Sequence, residues 1–180
     1  MEIIPAREVM LLKLVAMYKA AIAQMENNNI FQWDDIYPNE AVLKNDIKNG
    51  ELFAVTHNGE LVAAYVVNTK CDDEYINGSW TGSNKSYRVI HRLCVNPKYQ
   101  RRGIARKIML HIENELRESG VYAIRLDAFA HNPYALALYN SLGYKTVGFA
   151  DWRKGRFMLM EKVIIMKSGY DETHVVKENK

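Results

Sequence analysis

One stretch, Tyr87 to Leu116, restricts the fold more than any other part of this 180-residue chain. Tyr87 to Val95 is rich in β-forming residues, and Asn96-Pro97 stops it, because the residue before a proline is disfavoured in the helical region. Gly103 then opens a run in which Ile104, Ile108, Ile112 and Leu116 stand four apart, the spacing of an amphipathic helix, which Gly120 closes. The turn between them reads Gln100-Arg101-Arg102-Gly103-Ile104-Ala105-Arg106-Lys107. Amides at a helix N-terminus lack intrahelical partners and carry about half a positive charge. Gly103 lets a ligand approach the backbone, Ala105 keeps the first turn open, and Arg101, Arg102, Arg106 and Lys107 add long-range attraction. These features suit a pyrophosphate. The turn matches neither GxxxxGK[ST] nor GxGxxG. Taken alone, it is equally a strand–helix turn whose glycine relieves crowding and whose arginines are solvated.

The remaining chain supplies more strands and helices. From Ala6 to Met25 the apolar positions Val9, Leu12, Val15, Ala16, Ile22 and Met25 predict a helix that ends at Asn27-Asn28-Asn29. A second helix is expected from Asn39 to Lys48. Leu52 to Thr56 and Leu61 to Val67 flank Asn58-Gly59, a strong hairpin signal. Lys70 to Lys85 is polar and reads as a loop. Ala123 to Ala128 reads as a strand, and Asn132-Pro133 opens a short helix as N-cap and first-turn proline. Strands at Lys145 to Phe149 and Phe157 to Ile165 follow, joined through Lys154-Gly155. Residues 167–180 read as a loose tail. The order is two helices, three strands, helix, strand, helix and two strands, in one domain over 1–180.

A second constellation follows the glycine turn. Asp127 ends a strand, Asn132 lies five residues on, Tyr139 seven beyond that, and Leu142-Gly143-Tyr144 comes next. Ala135, Leu138 and Leu142 mark the buried stripe of the short helix, with Tyr139 at its edge. With both constellations present, the sequence resembles the GNAT family of N-acetyltransferases, most of all its small bacterial stand-alone members. The resemblance rests on Gln100-Arg101-Arg102-Gly103-Ile104-Ala105, on Asn132…Ala135…Leu138-Tyr139…Leu142-Gly143-Tyr144, and on the element order over about residues 6–165.

The resemblance implies a mixed α/β (α+β) fold. Its central sheet is mostly antiparallel with two splayed parallel strands, and helices cover both faces. It also implies that acetyl-CoA lies between the splayed strands, here Tyr87 to Val95 and Ala123 to Ala128. Main-chain groups of Leu93, Cys94 and Val95 would pair with the pantetheine arm, and amides of Arg101, Arg102, Gly103, Ile104, Ala105 and Arg106 would hold the pyrophosphate. The Asn132 side chain would bond the pantetheine, and the Val95 N–H would face the thioester oxygen as an oxyanion donor. Tyr139 would protonate the leaving thiolate. Asp127 occupies the place of a carboxylate base in some members, and it is equally a partner for Arg125 or Arg153. Many members carry a glutamate on the strand before the turn. This chain has His91 there, which titrates near neutrality and is a second candidate base. Cys94 alternates away from Leu93 and Val95 and reads as core, which favours direct transfer over an acyl-enzyme.

The resemblance implies an amine acceptor. Trp33, Asp34, Asp35 and Tyr37 in one loop, and Asp72, Asp73, Glu74, Tyr75 and Trp80 in another, suit a cation. They also suit ordinary packing and solvation. A net charge of +3 argues against nucleic acid. No run approaches the ~20 apolar residues of a membrane span, and two cysteines 23 apart with no histidine at ligand spacing offer no metal site. The expectation is a cytoplasmic protein, with a homodimer left open. The competing reading is an acyl-CoA-binding sensor or scaffold without catalysis.

Overall fold

Asn58 and Gly59 both adopt positive φ, +51° and +77°, as a two-residue hairpin with native twist requires. They join β2 (Leu52–His57) to β3 (Glu60–Asn68), the first long antiparallel pair. The computed structural model describes residues 1–82 and 84–165, so the tail expected over 167–180 lies outside the described residues. Ahead of the hairpin come β1 (Glu2–Pro5), α1 (Leu11–Asn27) and α2 (Glu40–Lys48). After it come β4 (Tyr87–Val95), α3 (Ile104–Glu118), β5 (Ala123–Phe129), α4 (Pro133–Ser141), β6 (Lys145–Trp152) and β7 (Gly155–Val163). The seven strands form one sheet in the order β1-β2-β3-β4-β5-β7-β6, and β4 and β5 are its parallel pair.

Alternation along the strands sends side chains to two cores. Ala54, Ala64, Val66 and Cys94 pack under α1 and α2, while Val55, Ala63, Tyr65 and Ile124 pack with α3 and α4. Helices therefore cover both faces.

Two expectations need correction. The first strand, β1, carries no alternation signal in four residues. It forms because Ile3 and Ile4 find partners in Val55 and Ala54. In α1 the buried face is Leu11, Leu14, Met17, Tyr18, Ala21 and Ile22, whereas Val9 and Leu12 are 81% and 76% exposed and Ala16 is also exposed. The segment holds apolar residues on more than one face, and packing against Ala54, Ala64 and Cys94 selects among them. By contrast, Ile104, Ile108 and Ile112 of α3 are buried as their spacing predicts.

The polar Lys70 to Lys85 segment contains a helical turn, Asp73–Asn77, and is fastened to the sheet. Ser79 N–H donates to the Val147 carbonyl at 2.8 Å and Thr81 N–H donates to Glu161 Oε2 at 2.7 Å. Glu161 pairs with buried Arg125 at 3.2 Å, and the Arg125 guanidinium lies 3.9 Å from the Tyr87 ring centre and 4.5 Å from that of Trp80. No helix among the described residues is long and apolar enough to cross a membrane.

Candidate active site

The parallel ladder between β4 and β5 runs from Tyr87↔Ala123 to Ile90↔Leu126 and goes no further. The cause lies just beyond. Arg92 has φ +53°, and between the pairs Ala64↔Cys94 and Val66↔His91 the β4 side carries one more residue than the β3 side. Such a bulge bends its strand and ends local pairing. Arg92 is not a residue that favours this backbone, and three groups from the N-terminal third hold it. The Tyr18 hydroxyl donates to the Arg92 carbonyl at 2.7 Å, Arg92 Nη2 donates to Asp46 Oδ1 at 2.8 Å, and Arg92 Nη1 donates to the Tyr37 hydroxyl at 2.5 Å. Tyr18 and Asp46 are buried, so the lock is internal.

Divergence of the two strands opens a cavity of about 960 Å³. One wall is Leu93, Cys94 and Val95. Asn96 N–H donates to the Val62 carbonyl at 2.9 Å, so ladder alternation turns the Val95 N–H and C=O away from β3, toward the opening. Gln100 Nε2 occupies that carbonyl at 3.1 Å. The same wall continues into the N-terminus of α3, where Arg101, Gly103, Ile104, Ala105 and Arg106 line the cavity. Arg101 has φ +60° and Gly103 φ +73°, a curled backbone in which glycine is the residue without a Cβ penalty. No side chain caps α3, and its first intrahelical bond is Lys107 N–H to Gly103 O. The earlier amides of that turn are left for a ligand, and a Cβ built on Gly103 would meet nothing within 4 Å. A phosphate fits this cradle. Of the cations assigned to the turn, Arg101 and Arg106 line the cavity while Arg102 and Lys107 do not, and the Arg102 guanidinium lies over the Tyr99 ring at 5.4 Å.

At the other end Asp127, His91 and Tyr139 all face the cavity. The Asp127 carboxylate accepts a hydrogen bond from Tyr75 Oη at 2.9 Å, so neither Arg125 nor Arg153 is its partner; those two bind Glu161 and Asp34. Burial pushes the Asp127 carboxyl up to about 6, with the Tyr75 bond opposing the rise. His91 Nε2 lies 3.1 Å from the Lys70 carbonyl and 3.0 Å from Asn68 Oδ1, so that nitrogen carries the proton. Burial and the neighbouring Arg92 charge lower the His91 ring to about 4. Tyr139 is the buried residue of α4, while Ala135 and Leu138 are half-buried, which reverses the expected centre of that helix's apolar stripe. Burial, then the Asp127 charge, pushes the Tyr139 phenol well above its ordinary value. Burial also raises the Cys94 thiol, in keeping with a core cysteine.

Asn132 Oδ1 caps α4 by accepting from Ala135 N–H at 3.1 Å, and its Nδ2 donates to Gln32 Oε1 at 2.7 Å. One Nδ2 hydrogen and one Oδ1 lone pair are used in these bonds, and the amide's second donor and second lone pair remain for a ligand. Asp34, in the loop between α1 and α2, is gripped by Arg153 at 2.7 and 2.9 Å and by Lys154 at 3.2 Å. It is spent on this bridge. Asp72, Trp33, Tyr37 and Trp152 line the cavity beneath.

Residues 14–144 match the family model for the acetyltransferase (GNAT) family. The chain belongs to this family. A ribosomal protein bS18-alanine N-acetyltransferase from Escherichia coli K12 is 30% identical over 92 residues, covering 51% of this chain and 53% of that protein. The chain thus spans about half the length of the curated relatives it matches. The solved GNAT acetyltransferase from Streptococcus agalactiae 2603 shares the fold with a TM-score of 0.79 at 22% identity, over 90% of this chain and 94% of its own. An N-acetyltransferase from Thermoplasma acidophilum, solved in complex with coenzyme A, has a TM-score of 0.66 at 18% identity over 90% and 98% of the chains. The mixed sheet with one splayed parallel pair is the GNAT fold. Gln32, Tyr18 and Asp46 carry no local signal in the sequence, and Tyr37 and Tyr75, read there as loop aromatics, give no sign of their partners, because each acts on a residue at least 46 positions away.

Proposed function

We propose that this GNAT protein is an N-acetyltransferase that takes its acetyl group from acetyl-CoA and delivers it to a primary amine by direct attack in a ternary complex. The observation that carries this reading is one cavity with a main-chain slot at one end and a raised carboxylate at the other. The uncapped α3 amides suit the pyrophosphate, and the freed edge of Leu93 to Val95 suits the pantetheine arm. Acetyl-CoA supplies an activated thioester there. The Val95 N–H, turned from β3, takes the negative charge that develops on the thioester oxygen.

The amine must be neutral to attack. A lysine-type amine near 10.4 is only about 0.04% neutral at pH 7, whereas an α-amine near 7.8 is over ~10% neutral. Asp127, with a carboxyl at about 6, is ionised at neutral pH and well matched to accept that proton. His91, at about 4, is a much weaker base. Tyr139 donates a hydrogen bond to the departing sulfur. Its raised value makes full proton transfer uphill, so the hydrogen bond carries its effect. The Escherichia coli relative is named for alanine of a ribosomal protein, which makes a protein α-amine the first acceptor class to test. A free, exposed Cys71 accords with the reducing cytoplasm.

The test is thiol release from acetyl-CoA with peptides, lysine peptides and polyamines as acceptors, beside calorimetric binding. Acceptor-dependent release supports the reading. Tight binding without any acceptor would favour the sensor alternative, and absence of acetyl-CoA binding would overturn both.

A further inference from the structure

We propose that Tyr75 is a positioning residue for the reaction: its hydroxyl fixes the Asp127 carboxylate by one oxygen and favours its charged form, leaving the other oxygen for the acceptor's proton. This rests on the reading of Asp127 as the base. Tyr75 comes from the Asp73–Asn77 turn, outside the strands that form the slot, and its hydroxyl reaches Asp127 Oδ1 at 2.9 Å. In that turn Ile76 is 88% exposed while Tyr75 is 4% exposed. A loop aromatic is thus driven inward to a single polar partner. A buried hydroxyl without a partner is costly, and a hydrogen bond to a charged group is among the stronger kinds.

The ring is held firmly enough to aim the hydroxyl. Tyr75 stacks on Trp80 with centroids 5.3 Å apart and planes at 18°, and packs against Trp152 at 6.5 Å. Trp80 Nε1 donates to the Tyr75 carbonyl at 2.6 Å, and Trp80 itself lies against the buried Arg125–Glu161 pair. Other groups act on Asp127 through charge. Asp72, in the same loop, opposes its ionisation and Arg92 of β4 favours it. The phenols of Tyr37 and Tyr139 face it from the α1–α2 loop and from α4, and both are held neutral in part by its charge. Its cross-strand neighbour on β7 is apolar Leu159. Among the described residues Tyr75 is the side chain that donates a hydrogen bond to it, and that bond stabilises the carboxylate form.

Tyr75→Phe keeps the stacked ring and removes only the hydroxyl. Two readouts test the proposal. In protein labelled at the aspartate carboxyl carbons, the Asp127 resonance, assigned by its loss in Asp127→Asn, is titrated by NMR without any substrate. The acid limb of kcat/KM for the amine acceptor is measured in parallel. In Tyr75→Phe both midpoints are expected to rise by about one pH unit. Below the limb the rate then falls about tenfold, and above it the rate stays within about threefold of the parent. An unmoved NMR midpoint, or a loss equal at all pH values, would overturn the proposal. Full turnover by Asp127→Asn would instead sink the base assignment, while the NMR midpoint would still decide whether Tyr75 holds the carboxylate.

Discussion

At the end of the cavity that we propose for acetyl-CoA, the groups assigned to the ligand are main-chain groups drawn from fourteen consecutive residues, Leu93 to Arg106. At the acceptor end they are side chains, Asp127 on β5, Tyr139 on α4 and Trp33 and Tyr37 on the α1–α2 loop. The first kind of site depends on backbone geometry and tolerates side-chain change. The second depends on individual atoms and on the network that aims them. One bulge, at Arg92, serves both, because it opens the slot on one side and is locked from the acceptor loop on the other.

The sharpest break in this contrast is Asp127→Asn. Turnover is expected to fall about 1000-fold with acetyl-CoA affinity unchanged in calorimetry. Turnover of the unchanged protein should rise with pH through about 6, since the base must lose its proton to act. Next comes Asp46→Ala, which leaves the half-buried Arg92 cation unpaired. A loss of about 3 kcal/mol in denaturant unfolding is expected, together with weaker acetyl-CoA binding if the bulge relaxes. Tyr139→Phe should lower kcat about 30-fold and leave the acetyl-CoA KM in place, a split that separates leaving-group assistance from binding. Gly103→Val inverts the pattern. Its φ of +73° is strained for a β-branched residue, so acetyl-CoA should bind about tenfold more weakly with a smaller effect on turnover of bound complex.

The smallest effect is expected at His91. Its folded value of about 4 lies below the ordinary 6.5, so the unfolded chain binds more protons between those pH values. Stability contributed by the neutral ring is therefore present above 6.5 and is lost as pH falls toward 4. His91→Gln should lessen the drop in urea midpoint between about pH 7 and about pH 5. Little change in turnover at neutral pH is expected, and a large one would restore His91 as a candidate base.

Much of the donor end is legible in the sequence. Gly103, the proline stop at Pro97 and the fourfold spacing of Ile104, Ile108 and Ile112 are local signals, and each reports on backbone within a turn of itself. The Asn132 cap on α4 is readable for the same reason. The acceptor end is half legible. Tyr139 and Asp127 stand out by position, but their surroundings do not. Asp127 has Arg125 and Arg153 as candidate partners in the sequence, and it bonds Tyr75, 52 residues away. Asp34 reads as a loop acid available to a cation, and it is consumed by Arg153 and Lys154. Pairings of this kind follow from which surfaces meet, and no local spacing encodes them.

Backbone periodicity and turn chemistry alone determined the existence and order of the strands from Leu52 onward, the hairpin at Asn58-Gly59, helices α2 to α4 and the phosphate-suited turn, because these depend on interactions within a few residues. Cross-strand pairing carries β6 on to Trp152 and starts β7 at Gly155 rather than Phe157. Tertiary structure decided which face of α1 is buried, that β1 exists, and that β4 parts from β5 at a left-handed arginine. It also raised the Asp127 carboxyl and lowered the His91 ring by burying them. Those outcomes depend on burial and on partners far along the chain, and the energy of a charge is fixed by what surrounds it after folding.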